Sequence, residues 1–293
     1  MENEQKVLYE VRGSIAYVTI NNPERFNTTS HYLYELFYKY LKQAHDDPNV
    51  RACIMSANGD HFTYGDDISG MNSSATEWST RVYSHWADQS WADWICEGEE
   101  KSPAQAWCAL MLESPTVFIC ACQGMNLSPD ITYSFDYVVV SEDAKFAQCD
   151  LMIGQTPVCG STFLLPFITG RRVALETFLD YAPVTAQELY RRGIVNKVVP
   201  REELLPAAEE FAKKVVAFNP KVIGLFKKLT TRAQGKVDEL FRIEQMYGGF
   251  CHKLPDAGIP IGNWREVLSY PDELLEGVDL TKKYLQQENQ DNH

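Results

Sequence analysis

Two aspartates, Asp130 and Asp150, stand where a carboxyl group could transfer protons. Asp130 follows Ser128 and Pro129 in a short loop after an apolar segment, and Asp150 follows the run FAQC and precedes Leu-Met-Ile. We expect both carboxyls to be at least partly buried, which raises the pKa of an acid and suits proton transfer. The alternative is structural: Asp130 as the cap of a helix, and Asp150 as the cap of a turn or the partner of an arginine.

The cysteines give little support to metal or disulfide chemistry. All eight are scattered, and no two form a CxxC pair. Neither a metal site nor a disulfide framework is therefore expected. Cys120 and Cys122 alternate along an apolar segment, so we expect them on one side of a buried strand, as packing residues in a reducing compartment.

The composition is that of a globular protein with an acidic surface. The chain has 293 residues, is 45% hydrophobic and carries a net charge of −13. Such a surface does not attract nucleic acid or an anionic membrane, and no apolar stretch approaches the roughly 20 residues of a spanning helix. The first residues, MENEQKVLYE, lack the basic and apolar regions of a secretory signal. We expect a cytoplasmic protein with no nucleic-acid and no membrane partner.

The elements that must position the aspartates begin with a strand–helix–strand unit. Residues 7–11 and 14–20 predict a β-hairpin because apolar and polar residues alternate on both sides of a turn. Apolar residues at helical spacing predict a helix over Leu33–Ala44, and residues 50–55 predict the next strand. Such a unit implies parallel strands joined by a crossover, and therefore an α/β fold.

Helical patterns dominate the second half of the chain. Thr185 begins a Thr-Ala-Gln-Glu capping pattern, and Gly193 ends the helix that follows it. Further helices are predicted by apolar residues at helical spacing. The predicted helices cover 171–179, 185–192, 202–218, 220–234, 236–246 and 272–287.

Six short segments match, in order, the motifs of one known family. They are Asn22–Asn27 (NPERFN), Phe62–Asp67 (FTYGDD), 146–162 (FAQCDLMIGQTPVCGST), 170–174 (GRRVA), 185–186 (TA) and 193–195 (GIV). These segments resemble the motifs of the crotonase (enoyl-CoA hydratase/isomerase) superfamily. Each match is weak alone, but six in the correct order are strong evidence for the fold.

The resemblance implies a mixed α/β fold, the crotonase spiral of stacked ββα turns. In relatives, helices at the C-terminal end of the chain mediate trimerisation. We therefore expect a spiral core over residues 1–205 and a helical oligomerisation region over residues 206–293. A homotrimer or a dimer of trimers is the assembly that this resemblance implies.

The resemblance also implies an oxyanion hole made by two backbone N–H groups from separate loops. In the family these groups bind a thioester carbonyl and stabilise the enolate that forms next to it. By position, the first N–H belongs to Asp66 and the second to Leu127 or Ser128. Asp130 and Asp150 fall where the family's hydratases carry two glutamates, so two catalytic carboxylates are retained, each shorter by one methylene.

Residues that line the substrate are implied by the same resemblance. Tyr64 is expected to border the ligand through its backbone carbonyl, while its ring could equally serve packing. Five of the six tryptophans lie within residues 78–107, a region that covers the acyl pocket in the family. Trp86 and Trp91 are expected to line a pocket for a bulky or ring-containing acyl group, unless the cluster serves helix packing or a subunit contact. Acyl-CoA is the expected substrate carrier, with no cofactor and no metal.

The loop before Asp130 departs from the family pattern. The usual run of three glycines is absent, and Pro129 has no N–H to offer a ligand. Asp66 replaces a small residue, which places a negative charge near the developing oxyanion unless its side chain turns away. Ser69 stands where many relatives carry a lysine near CoA.

Three functions remain open at this point. The run Ser128–Ile131 resembles the His-Pro-Glu-Ile of the family's β-diketone hydrolases, such as 6-oxocamphor hydrolase, and His31 lies near where that enzyme has a histidine. However, its histidine–aspartate base pair would map onto Asp150 and Cys159, so its mechanism is not available, and His31 could equally be a surface residue. We favour an enoyl-CoA hydratase/isomerase-like enzyme over a C–C bond hydrolase of a non-CoA β-diketone or a non-catalytic crotonase-fold binding or scaffold protein.

Overall fold

Two β-sheets organise the described part of the chain. The computed structural model describes residues 3–67, 103–154, 156–237, 239–244 and 267–276. In chain order the strands are β1 (Val7–Arg12), β2 (Ile15–Ile20), β3 (Ala52–Ala57), β4 (Val117–Cys122), β5 (Met125–Asn126), β6 (Tyr137–Ser141), β7 (Lys145–Phe146), β8 (Val184–Thr185) and β9 (Lys197–Val199). The larger sheet has the strand order β1-β2-β3-β4-β6-β9, and the smaller one has the order β5-β7-β8.

The larger sheet begins with the predicted hairpin and continues with parallel strands. β1 pairs with β2 in antiparallel fashion, with Val7 opposite Ile20. Every later neighbour pair in this sheet, from β2–β3 to β6–β9, is parallel. Parallel neighbours need crossover connections, so the predicted α/β organisation is confirmed.

The helix α1 (His31–Asp46) is the crossover from β2 to β3. It begins after Ser30, whose Oγ accepts the N–H of Leu33 at 3.4 Å and caps the first turn. Leu33, Phe37 and Leu41 recur at helical spacing and are buried in the first hydrophobic core cluster. The start of α1 is therefore fixed beside the loop that carries Asp66.

Both faces of the central strand β4 are covered. Phe118, Cys120 and Cys122 point into the core cluster shared with α1, as predicted for the two cysteines. Ile119 and Ala121 point into a second cluster on the opposite face. Successive side chains of a strand alternate between faces, so a strand buried on both sides is apolar throughout.

The remaining helices surround these sheets. The helix α6 (Leu204–Val216) packs its alanine face on the second core cluster. The predicted domain boundary between residues 205 and 206 therefore falls inside a helix that shares the core of the sheet. The division into two regions stays a prediction. No helix among the described residues is long and apolar enough to cross a membrane. These helices are α2 (Pro103–Glu113), α3 (Ser161–Thr169), α4 (Arg171–Asp180), α5 (Ala186–Arg191), α6 (Leu204–Val216) and α7 (Pro220–Arg232), and residues 239–244 are also helical.

A partly buried ion pair ties α7 to the larger sheet. Lys227 Nζ lies 2.6 Å from Asp136 Oδ2 and donates a second hydrogen bond to the carbonyl of Thr116 at 2.8 Å. The same Oδ2 accepts the N–H of Phe118, the second residue of β4, at 2.8 Å. Burial raises the pKa of Asp136, and the ammonium of Lys227 opposes that rise.

Candidate active site

Two short 3-10 turns bring Asp130 and Asp150 together. The turn Pro129–Ser134 follows β5, and the turn Asp150–Ile153 follows β7. β5 and β7 pair in parallel, so the two turns leave the smaller sheet at the same edge. The carboxyls lie close enough that the charge of Asp150 raises the pKa of Asp130.

Asp130 is a buried carboxyl without a cation. The residue is 9% exposed. Burial, followed by the charge of Asp150, raises its pKa well above the usual range, while hydrogen bonds from the Cys159 thiol and its own backbone N–H oppose the rise. No lysine or arginine among the described residues forms an ion pair with it. At neutral pH these surroundings favour the protonated form of Asp130, which is the form able to donate a proton.

Asp150 is ionised under the same conditions. Burial raises its pKa to about 6, while a hydrogen bond from Gln148 Nε2 to its Oδ2 opposes the rise. Gln148 is oriented in turn by Tyr133, whose hydroxyl donates to Gln148 Oε1 at 3.4 Å. In the part of the chain that the structure describes, no arginine pairs with Asp150, so the arginine-partner alternative is not supported.

The surroundings of the two carboxyls differ. The charge of Asp150 raises the pKa of Asp130, whereas the hydrogen bond from Gln148 opposes the rise in the pKa of Asp150. Adjacent carboxyls whose pKa values are pushed apart provide a general acid and a general base in one site. The pair has the chemistry needed to deliver one proton and remove another.

The backbone N–H of Asp66 faces away from the strand pairing that holds its loop. Thr29 donates its N–H to the Gly65 carbonyl at 2.8 Å, and Asp67 donates its N–H to the Thr29 carbonyl at 2.9 Å. In such a parallel bridge the N–H of the middle residue points to the other side. No acceptor among the described residues bonds the N–H of Asp66, so it is available to a ligand oxygen.

The side chain of Asp66 is held by two hydroxyls at the start of α1. Its Oδ1 accepts hydrogen bonds from Thr29 Oγ1 at 2.9 Å and from the Tyr34 hydroxyl at 2.7 Å. Desolvation raises the pKa of Asp66, and these two bonds oppose the rise because they favour the charged form. The carboxylate of Asp66, which is expected near the oxyanion, thus lies beside the N-terminus of α1, where a negative charge is stabilised.

Of the two residues predicted to supply the second N–H of the oxyanion hole, Ser128 is the one whose N–H could still bind a ligand. The N–H of Leu127 donates to the Thr63 carbonyl at 3.0 Å as part of a β-bridge, so Leu127 has no N–H for a ligand, which corrects that expectation. The N–H of Ser128 donates to Asn126 Oδ1 at 3.2 Å, a local bond that a ligand oxygen could replace.

The two loops that carry Asp66 and Ser128 are in contact. Gly65 has a φ of +76°, which favours glycine, and a Cβ added there would lie 3.3 Å from Ser128 Oγ. The close approach of these loops therefore depends on the absence of a side chain at this position. It places the residue before Asp66 directly against the second candidate donor.

Tyr64 serves packing in the described structure. It is 6% exposed, and its ring makes edge contacts with Phe26 at 5.7 Å and with Tyr270 at 5.8 Å between ring centroids. These contacts support the packing alternative for the ring, and the role of its carbonyl stays a prediction.

Arg25 forms two hydrogen bonds of 3.0 Å with Asp67 and so stabilises the loop that carries Asp66.

Three of the side chains predicted to line the ligand lie outside the described part of the structure. Trp86 and Trp91 lie outside the described residues, and so does the side chain of His31, although its backbone begins α1. Trp107, from the same tryptophan-rich segment, is 1% exposed and stacks on Phe37 with 5.2 Å between ring centroids. For this residue, packing is the role that the contacts support.

The cysteines and acidic residues of the described chain form no metal centre. No group of three or more histidines, cysteines, aspartates or glutamates among the described residues could hold a metal ion. The six described cysteines are all free thiols. Burial raises the pKa of Cys53 and Cys120, which keeps these thiols protonated and unreactive.

Sequence reasoning missed the side chains that orient the predicted ones. Tyr34 and Gln148 donate hydrogen bonds to Asp66 and Asp150, and the Cys159 thiol lowers the pKa of Asp130. Gln148 precedes Asp150 by two residues, which was a usable signal. Tyr34 carried a weaker one, since it lies one turn after the cap of α1 beside the buried Leu33. No signal in the sequence joined Cys159 to Asp130.

Comparison with known proteins identifies the family. Residues 10–96 and 95–247 match the model of the enoyl-CoA hydratase/isomerase family. The chain is 30% identical over 255 residues to a short-chain-enoyl-CoA hydratase of Clostridium acetobutylicum, which covers 85% of this chain and 90% of the relative. It is 24% identical over 244 residues to the 1,2-epoxyphenylacetyl-CoA isomerase of Escherichia coli, covering 82% and 88% of the two chains.

The fold is also that of solved structures in this group. An enoyl-CoA hydratase from Mycobacterium avium subsp. paratuberculosis superposes with a TM-score of 0.71 at 18% identity, covering 86% of this chain and 95% of that one. This likeness confirms the predicted crotonase-type fold, while the family match and the 30% identical relative establish kinship. The chain therefore belongs to the enoyl-CoA hydratase/isomerase family of crotonase-type enzymes.

Proposed function

We propose that this protein hydrates an enoyl thioester, or dehydrates or isomerises the corresponding compound, as an enoyl-CoA hydratase/isomerase-like enzyme. The observation that carries the proposal is the pair Asp130 and Asp150, two adjacent carboxyls that are both desolvated and both have a raised pKa. Adding water across a double bond requires both a proton acceptor and a proton donor. Relatives of the chain are named crotonyl-CoA hydratase and short-chain-enoyl-CoA hydratase.

In the proposed hydration, Asp150 accepts a proton from water while the water oxygen bonds to the β-carbon of the enoyl group. The electron pair of the double bond moves toward the carbonyl, which becomes an enolate. Asp130 then donates its proton to the α-carbon, and the enolate returns to the thioester. Water has been added as H and OH, and the pair is reset when the proton on Asp150 passes to Asp130 through solvent.

The enolate oxygen is proposed to lie between the backbone N–H groups of Asp66 and Ser128. The support is the unpaired N–H of Asp66 and the contact between the two loops. Donors aimed at developing charge typically contribute about 10²- to 10³-fold in rate each. The hydroxyls that hold the Asp66 carboxylate keep its charge directed at α1, which makes this donor compatible with an anion.

Coenzyme A is the proposed carrier of the acyl group. A cavity of about 240 Å³ adjoins the Asp66 loop, sharing Thr29 and Asp67 with it, and Lys6 and Arg25 contribute to its lining. Arg25 is paired with Asp67 there, so Lys6 gives the lining a net positive charge, which in a chain with a net charge of −13 suits a phosphorylated carrier. Relatives named as acting on crotonyl-CoA and 1,2-epoxyphenylacetyl-CoA support both the carrier and a bulky or ring-containing acyl group, for which Trp86 and Trp91 remain the proposed lining.

A homotrimer or a dimer of trimers is the proposed assembly. The helix α7 buries Lys227 and Thr231 against the protein while exposing an apolar row at helical spacing. An exposed row of this kind favours a contact between subunits. Its members Val222, Leu225, Phe226 and Leu229 are 61%, 65%, 61% and 71% exposed.

A cytoplasmic location remains part of the proposal. The six described cysteines are free, and five of them are buried. Free thiols are the usual state in a reducing compartment. The acidic composition of the chain is compatible with this location.

Incubating the purified protein with crotonyl-CoA and, separately, with a cyclic β-diketone tests the proposed reaction. Hydration removes the ultraviolet absorbance of the conjugated enoyl thioester, whereas C–C hydrolysis removes that of the diketone. We expect loss of the crotonyl-CoA absorbance only. Turnover of the diketone alone would support the hydrolase alternative, and no turnover or binding of either compound would support the scaffold alternative.

A further inference from the structure

Asn126 is fixed between two neighbouring segments of the chain. It is the last residue of β5, where it pairs with Phe146 of β7, and an isolated bridge joins it to Thr63 on the other side. Its carbonyl accepts the N–H of Ala147 at 3.1 Å, and its exposed fraction is 0%. Because its backbone is paired on both sides, the sheet sets where its side chain lies.

The side chain of Asn126 bonds the proposed second donor of the oxyanion hole. Its Oδ1 accepts the N–H of Ser128, two residues later, at 3.2 Å. An asparagine that bonds the backbone in this way forms an Asx turn. Rotating the carboxamide by half a turn would set its NH2 group against that N–H, so the oxygen must face Ser128. Asn126 thus fixes the direction of this N–H in the free protein.

The same peptide unit is also held at its carbonyl end. The carbonyl of Leu127, which shares this peptide unit with the N–H of Ser128, accepts the thiol of Cys149 at 3.8 Å. Desolvation raises the pKa of this thiol well above its usual range, so the thiol keeps the proton that it donates. A bond from a thiol is weak, so the bond to Asn126 is the stronger of the two constraints.

A charged oxygen can take the N–H of Ser128 from Asn126 more easily than a neutral oxygen can. The bond to Asn126, at 3.2 Å, lies at the long end of the normal range. Hydrogen bonds to an ionised acceptor are about twice as strong as those between neutral groups. A thioester carbonyl is neutral, like the amide oxygen of Asn126, whereas the enolate oxygen carries developing charge. The exchange is therefore most favourable as the enolate forms, which is the property of an interaction that raises kcat.

We propose that Asn126 is a positioning residue of this enzyme, which holds the N–H of Ser128 in the free protein and gives it up to the enolate oxygen. The proposal rests on the proposed function in taking this N–H as the second donor of the oxyanion hole. The hydrogen bond in the free protein can be measured whether or not crotonyl-CoA is a substrate, so the two proposals can fail separately.

The test compares Asn126→Ala with Asn196→Ala. Asn196 is the matched control, because its Oδ1 also accepts a backbone N–H, that of Val138 in β6 at 2.7 Å. Each variant loses one bond from a side chain to the backbone, so a loss of stability is common to both. Asn126→Ser keeps a weaker acceptor for the N–H two residues later, and it should lie between Asn126→Ala and the wild type.

The first readout is the amide proton of Ser128, in protein labelled with 13C at the leucine carbonyls and with 15N at serine. The sequence contains two Leu-Ser pairs, 127–128 and 268–269, so the spectrum selected for such pairs has two peaks. Ser269→Ala assigns them. We expect the Ser128 proton to move upfield in Asn126→Ala, because its acceptor is lost, and to stay in place in Asn196→Ala.

The second readout is crotonyl-CoA hydration. In Asn126→Ala, kcat is expected to fall about 10- to 100-fold with KM within about twofold, because the peptide that carries the donor is no longer held in one orientation. Asn126→Ser should lose less. Asn196→Ala should leave both constants unchanged.

The peak of Ser128 separates this proposal from the proposed reaction. An unmoved peak in Asn126→Ala overturns the positioning role, whatever the substrate of the protein. A moved peak with unchanged or raised kcat also overturns it, since Asn126 would then only occupy the donor. If the wild type does not hydrate crotonyl-CoA, a moved peak supports the hold on Ser128, and the proposed reaction alone fails. If Asn126→Ala does not fold, Asn126→Ser takes its place, with smaller changes of the same sign expected.

Discussion

Asp130 lies in the first turn of the 3-10 segment Pro129–Ser134 and Asp136 lies two residues after its end, yet their surroundings differ in one decisive respect. Asp136 faces Lys227 at 2.6 Å, and it accepts the N–H of Phe118 from the central strand. Asp130 faces another carboxyl, Asp150, and no cation among the described residues. Burial raises the pKa of both aspartates, and among the described residues a positive charge opposes that rise at Asp136 but not at Asp130.

The difference separates a carboxylate that holds the fold from one that can do chemistry. A paired buried charge stabilises its neighbours as long as its partner is present, and it has no reason to change protonation state. A buried carboxyl without a cation has a raised pKa, so it can change its protonation state near neutral pH, and its burial lowers the stability of the fold. The short segment from Asp130 to Asp136 therefore connects the proposed acid to a carboxylate with a structural role.

The largest expected effect comes from Asp150→Asn. We expect kcat for crotonyl-CoA hydration to fall by about 10³-fold, because the base is lost. Folding raises the pKa of Asp150 from 3.8 to about 6, so its ionisation destabilises the folded state as pH rises through that range. The variant should therefore be at least as stable as the wild type at pH 7, by urea unfolding. Retained activity would remove Asp150 from the mechanism.

Lys227→Met is expected to give the opposite pattern. It leaves the partly buried Asp136 without its cation and should lower the free energy of unfolding by about 2 kcal/mol. The kcat of the folded fraction should stay near that of the wild type. Urea unfolding measures the loss, with the exposed Lys228→Met as the matched control. Adding Asp136→Asn should restore part of the stability, and a larger loss in the double variant would contradict the pairing argument.

The pH dependence of activity sharpens the comparison further. Asp150 must be ionised to accept a proton, so kcat/KM should fall about tenfold per pH unit below about 6. Asp130 must be protonated to donate, so activity should also fall at a pH well above that value. Lys227→Met should leave the acidic limb in place, since Asp136 takes no part. A rate that is flat from pH 4 to 7 would contradict the assignment of Asp150 as the base.

Tyr34→Phe is expected to have the smallest effect. It removes one of the two hydroxyls on Asp66 Oδ1 and leaves the other, from Thr29. The N–H of Asp66 is then less firmly oriented, and we expect kcat/KM for crotonyl-CoA to fall about 3- to 10-fold. Tyr38→Phe, one turn later on α1, serves as the control. Equal rates for the two variants would show that Tyr34 has no role in the site.

Much of the fold could be predicted because its signals are local. Strand alternation gave the hairpin β1–β2, and the apolar spacing of Leu33, Phe37 and Leu41 gave α1. The motif order then implied that Asp130 and Asp150 share a site, and the electrostatic interaction between them in the structure agrees with that expectation.

The remaining features depend on contacts between distant segments. The hydrogen bond from Leu127 to Thr63 removed a predicted donor, and it arises from the bridge between Thr63 and Asn126, which lie far apart in the chain. Glu244 reaches Gly160 across 84 positions. The local helix and strand propensities of a sequence do not predict such contacts, because they depend on how whole elements pack against one another.

The most direct measurement is the titration of Asp130 and Asp150 in protein labelled with 13C at the aspartate carboxyls, with Asp130→Asn and Asp150→Asn used to assign the two resonances. The account predicts that Asp150 ionises near pH 6 while Asp130 remains protonated at pH 7. Removing Asp150 should lower the pKa of Asp130, because the charge that raises it is gone. If both carboxyls instead titrate near their ordinary value of 3.8, the pair is not an acid and a base, and the proposed mechanism is wrong.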